Sequence, residues 1–185
     1  MPRVRPERNA ELASVTEKVF SIESIAPTWA RERPELSLRN MLITVYLVRL
    51  GRIIELQADK EYMARYGLQA SHVRVLTALR RAGQPFAARP TDLFNSLMVT
   101  SGAMTKQVDK LETVGLVERL PDPTYARGFL VQLTKKGKIV ADQAVDYLVH
   151  ESAITRILNE MPKKEVDRLE VTLLELLKSA KSLPA

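Results

Sequence analysis

From Pro90 to Gly137 the chain reads PTDLFNSLMVTSGAMTKQVDKLETVGLVERLPDPTYARGFLVQLTKKG, and the fold is decided in this stretch. Proline is tolerated in the first helical turn, where its missing N–H has no partner to lose. Pro90-Thr91-Asp92 therefore opens a short helix over Leu93 to Leu97. Thr100 or Ser101 caps a second helix that runs to Gly115 with Met104, Val108 and Leu111 on its inner face. The period then changes from helical to alternating. Leu116 to Leu120 and Phe129 to Leu133 read as two strands, joined by the breaker-rich turn Pro121 to Gly128. A short helix, a tight turn, a second helix and a hairpin form a lobe suited to duplex DNA. Its second helix can enter the major groove while the hairpin lies along the flanking backbone or minor groove.

Outward from this stretch the chain is helical. Ser71 caps a helix with apolar positions Val73, Val75, Leu76 and Leu79, which stops at Gly83, and Gln84 to Arg89 is a connector. Leu38 to about Tyr66 contains no proline or turn cluster. Leu42, Val45, Tyr46, Arg49, Ile53, Leu56 and Met63 recur at helical spacing there, which predicts one long helix ended by Gly67 as a left-handed cap. Pro27 and Pro34 flank Trp29 and predict a bend; Ala10 to Ile25 has the stripe of a short helix. On the other side, Thr134 caps a long helical region through Leu158, Met161-Pro162 interrupts it, and Lys163 to Lys181 forms a last helix. The predicted class is mainly α, a winged helix-turn-helix with a helical dimerisation platform and a two-stranded β wing. Its parts are a disordered basic tail (1–9), N-terminal dimerisation helices (10–66), the DNA-binding lobe (67–137) and C-terminal dimerisation helices (138–185).

Composition limits the function classes. The 185 residues carry a formal charge of +6, which favours a polyanionic partner. Cysteine is absent and there are two histidines, so disulfides and thiolate metal sites are excluded, and no nucleophile–base pair or phosphate loop is visible. No catalytic residue, metal or cofactor is expected, and the chain does not read as an enzyme. Arg49, Arg52 and Glu55 interrupt the most apolar window, so no membrane span is expected and a cytoplasmic protein is the default.

With Met104, Val108 and Leu111 inward, Ser101, Gly102, Thr105, Lys106, Asp109 and Lys110 fall on exposed or flanking faces of the second helix. Hydroxyls and lysines near a helix start can meet base edges and phosphates, and the helix N-terminus itself favours phosphate. A merely solvated amphipathic face is the bland alternative. Arg127 stands near the hairpin tip, where a guanidinium could enter a narrow minor groove; a loose pair with Asp122 is its alternative. The apolar faces of Met41 to Leu56 and of the last helices exceed what one small chain covers, which predicts a homodimer.

The run Met98-Val99-Thr100-Ser101-Gly102-Ala103-Met104-Thr105-Lys106, continued by Asp109-Lys110-Leu111-Glu112 and Gly115-Leu116-Val117, resembles the recognition helix of MarR-type regulators. Pro121-Asp122-Pro123, Arg127-Gly128 and Val131-Gln132-Leu133-Thr134 look like the wing of that family. The resemblance extends from about Trp29 to Leu177. It implies two winged lobes on a helical dimer platform and ligand-responsive repression from a pseudo-palindromic operator. Trp29 with Arg33-Pro34-Glu35-Leu36, and Leu79 to Gly83 with Pro85-Phe86, are similar to the urate-responsive PecS/HucR branch.

Three positions depart from that pattern. Arg74 stands where the branch has aspartate, Gln107 where it has arginine, and Tyr125 where the wing usually carries an aspartate two residues before Arg127. Exchanging an acid for a guanidinium favours an anionic ligand, because arginine holds a carboxylate through two parallel bonds. The resemblance thus implies an effector site of Trp29, Tyr46, His72, Arg74 and Gln107 for a small aromatic molecule, anionic or phenolic. The alternatives are that Arg74 pairs with a nearby carboxylate and Trp29 belongs to the core. For the whole chain the competing class is an architectural or adaptor protein that uses its helix-turn-helix for non-specific DNA or protein contacts.

Overall fold

A computed structural model of the chain describes residues 21–125 and 128–182. The tail at 1–9 and residues 10–20 of the helix expected over Ala10 to Ile25 lie outside the described residues, and Ser21 to Ser24 form a bend and turn instead of helix. The chain divides into two units, Met1–Ile53 and Ile54–Ala185.

The first unit holds α1 (Ile25–Glu32) and the beginning of α2 (Arg39–Tyr66). The bend predicted around Trp29 is a helix instead. Pro27 sits in its first turn, where a missing N–H costs nothing, and Trp29 accepts the N–H of Arg33 at 2.8 Å. Helix α2 is uninterrupted, as the lack of breakers predicts, and Gly67 closes it at φ +64°.

The second unit contains the lobe. Helix α3 (Ala70–Arg81) begins one residue before Ser71, with no side-chain cap of its own. The Asp59 carboxylate, on α2, accepts the Ala70 N–H at 2.6 Å and does the capping that Ser71 was expected to do. There follow β1 (Ala87–Ala88), α4 (Pro90–Leu97), α5 (Ser101–Thr113), β2 (Val117–Pro121), β3 (Phe129–Leu133) and α6 (Lys135–His150). The sheet has three antiparallel strands in the order β1-β3-β2, one more than the predicted pair. Ala87 pairs with Gln132 and Ala88 with Val131; a two-residue strand has no period of its own and exists because β3 offers an edge.

Leu76, Leu79, Val108, Leu111, Val131 and Ala141 form the centre of the core and are shielded from solvent. Helix α6 enters it closely. Thr134 Oγ1 accepts the Gly137 N–H at 3.0 Å, and a Cβ on Gly137 would lie 1.9 Å from the Leu116 carbonyl oxygen. Only glycine fits that approach. The helix expected to continue through Leu158 ends at His150. Buried Ser152 accepts the Thr155 N–H at 3.2 Å and starts α7 (Ala153–Glu160), so a serine cap overrode continuous helical periodicity. Helix α8 (Lys163–Lys181) follows Pro162. No helix among the described residues is long and apolar enough to cross a membrane.

Candidate nucleic-acid interface

Helices α4 and α5 are joined by three residues. Met98 adopts the left-handed conformation at φ +52°, and Thr100 is extended, its Oγ1 accepting the Ala103 N–H at 3.2 Å. The cap satisfies one of the donors that a helix start leaves unpaired and leaves the others facing outward. Met104, Val108 and Leu111 are buried, as their spacing predicts. Ser101, Gly102, Thr105, Lys106, Asp109 and Lys110 are all exposed. The Thr105 hydroxyl donates to the Ser101 carbonyl at 3.0 Å, which leaves its lone pairs outward as acceptors.

Asp109 differs from the rest because it is already engaged. The Arg119 guanidinium on β2 donates to Asp109 and Glu112 on α5 and lies over the Phe129 ring of β3, 5.0 Å from its centroid. One arginine thereby ties both strands of the hairpin to the outer flank of α5. These pairs are partly exposed, so their effect lies in orientation more than in stability.

A second cluster joins the hairpin turn to α4. Asp122 Oδ2 accepts from Arg89 Nε at 2.6 Å, and Oδ1 accepts from the Thr124 N–H at 2.8 Å and its hydroxyl at 2.7 Å. Arg89 and then Thr124 hold the Asp122 carboxyl well below the usual carboxylate range. Asp122 is therefore committed to Arg89, and Arg127 lies outside the described residues. Sequence reading missed both Arg89 and Arg119, whose partners include residues on other elements. Arg89 merely precedes a proline, and Arg119 alternates in a strand like any surface residue.

The expected effector residues are spread over both units. Trp29 and Tyr46 belong to the first and are 45% and 43% exposed, so within that unit Trp29 is not core. His72, Arg74 and Gln107 belong to the second. Arg74 Nη2 donates to Glu55 at 3.1 Å, so Arg74 pairs with a nearby carboxylate. His72 Nδ1 and Gln107 Oε1 are buried without a hydrogen-bond partner among the described residues, on helices α3 and α5 that pack together. Burial lowers the His72 pKa, nearby Lys110 lowers it further, and Asp59 opposes both. Beside Arg74 opens a cavity of about 590 Å³, walled also by Arg80, Arg81, Leu97, Asp142 and Asp146. Among the described residues no cluster of three or more metal-ligating side chains occurs.

A MarR family model matches residues 66–128, from the end of α2 to the hairpin turn. The transcriptional regulator PecS of Dickeya dadantii is 31% identical over 129 residues, covering 70% of this chain and 77% of PecS. The chain belongs to the MarR family. This is a family of transcriptional regulators and not of enzymes. The similarity to PecS agrees with the branch suggested by Trp29 and its neighbours. A mutant MarR of E. coli complexed with operator DNA superposes with a TM-score of 0.60 at 32% identity, covering 77% of this chain and 99% of that one. A MarR/EmrR family regulator from Acinetobacter sp. ADP1 shares the fold at 18% identity and a TM-score of 0.67.

Proposed function

We propose that this MarR-family chain is a cytoplasmic repressor that binds a pseudo-palindromic operator as a homodimer and is released by a small aromatic effector, anionic or phenolic. The observation that carries the DNA reading is the capped, outward-facing start of α5. Ser101, Gly102, Thr105 and Lys106 are open to solvent there, and Lys110 in the last turn is exposed as well, beside a hairpin clamped to the same helix. Hydroxyls and a helix N-terminus position phosphate, while lysines add affinity that falls with salt. The E. coli relative solved with operator DNA supports DNA as the partner.

Two apolar surfaces support the homodimer. Helix α2 exposes Ile43, Leu47 and Leu50 in the first unit, and α8 exposes Leu174, Leu176 and Leu177 in the second. A two-fold pair would set two recognition helices about one DNA turn apart. For the effector, the cavity beside Arg74 has a suitable size, with guanidinium groups and apolar Leu97 and Val145 on its walls. Because Arg74 is paired with Glu55, an anionic effector would displace that carboxylate or use Arg80 and Arg81.

Footprinting on the DNA upstream of the chain's own reading frame, repeated with a panel of aromatic acids and phenols, tests the reading. A protected two-fold site that opens with one of them is expected. Arg127→Ala should weaken the footprint by about 1–3 kcal/mol if the arginine enters the groove. Uniform protection without sequence preference would favour the architectural alternative.

A further inference from the structure

The turn between β2 and β3 closes on itself through backbone bonds. Tyr125 N–H donates to the Asp122 carbonyl at 3.3 Å, Gly128 N–H to Tyr125 at 2.8 Å, and Asp122 N–H to Gly128 at 3.2 Å. The Tyr125 ring fills the space beside Gly128, 2.6 Å from where a Cβ would stand. The strands of this hairpin are fixed by the core and by β1, whereas the turn lies beyond them and needs its own tie to the lobe. The holding group is the Asp122 side chain, which is 3% exposed. Its cation comes from outside the hairpin: Arg89 precedes Pro90 at the start of α4, with Nε on Asp122 and Nη2 on the Thr124 hydroxyl. A shielded carboxylate stripped of its cation is strongly disfavoured, so loss of Arg89 would act against this turn shape, leaving Thr124 and the backbone bonds to hold it.

We propose that Arg89 is the positioning residue of the wing: acting through Asp122 and Thr124, it locks the hairpin turn to the first helix of the helix-turn-helix pair. The wing then meets DNA in one orientation relative to α5. This rests on the lobe binding DNA. The Arg89 side chain is 47% exposed, so the competing role is a direct phosphate contact, and neutralising Asp122 separates the two. A phosphate-binding Arg89 would be freed by Asp122→Asn and would bind as well or better. A positioning Arg89 would lose its purchase on the turn.

The test uses the full chain, with a mixed-sequence duplex and the DNA upstream of its reading frame as probes, followed by fluorescence anisotropy at low ionic strength. Arg89→Ala and Asp122→Asn should each weaken binding about tenfold. The double variant should be no weaker than either single one, and Arg89→Lys should retain part of the affinity. Amide exchange at Thr124 and Gly128 should accelerate while Val108 and Leu111 stay protected. If Arg89→Ala also opens those core amides, Arg89→Lys and Asp122→Asn carry the comparison. Undiminished binding by Asp122→Asn, or additive losses, would overturn the proposal while leaving DNA binding intact. An unaltered chain with no affinity for either duplex would instead remove the DNA reading and this proposal together.

Discussion

The lobe and the C-terminal helices use the same kind of residue in opposite ways. In the lobe, Val75, Leu76, Leu79, Leu111 and Val131 have no exposed surface, and caps at the starts of α3, α5 and α6 and the close approach of Gly137 fix helices around them. In α7 and α8 no residue is buried, and Ile157, Val171 and Leu177 are each more than half exposed. Burying one large apolar side chain is worth roughly 1.5–3 kcal/mol, so the first region closes on itself whereas the second keeps most of its driving force in reserve. Helical periodicity is equally clean in both. It shows which face is apolar but not whether the same chain covers it.

The largest expected effect lies in the lobe. Gly137→Ala pushes a methyl group into the Leu116 backbone and should cost about 4 kcal/mol or more in chemical denaturation. A near-neutral result would mean that α6 does not approach the hairpin so closely. Next comes the reserve surface. Leu174→Lys combined with Leu177→Lys should raise the dissociation constant of the proposed dimer about a hundredfold or more in sedimentation experiments, with core amides of the lobe still protected. An unaltered chain that sediments as a monomer would mean that the apolar face of α8 is not held in reserve for a second copy. Thr100→Ala should destabilise the lobe by about 1 kcal/mol, seen in thermal melts, because a helix start loses its cap.

The smallest effect is a pH dependence. His72 in the folded lobe has a pKa below its ordinary 6.5, so the unfolded chain binds the proton first. The stability linked to it is therefore complete above that value and is lost as the pH falls through the folded pKa. His72→Gln should flatten the melting temperature across that acidic window. An unaltered slope would assign the acid sensitivity to other groups.

The order α4, α5, β2, β3 within the lobe, the buried face of α5, the left-handed close at Gly67 and the family itself were legible in the residues. Each rests on spacing or on a cap within a few positions of the chain. Five features were decided by packing: the strand at Ala87, the Asp59 cap on α3, the break at Ser152, the fork of Arg119, and the grip of Arg89 on Asp122. In four of these a decisive contact joins separate elements, and folding brings it together without leaving a local period to read. At Ser152 the cap itself is local, but a serine in an apolar helical run declares itself a cap only once the chain turns there.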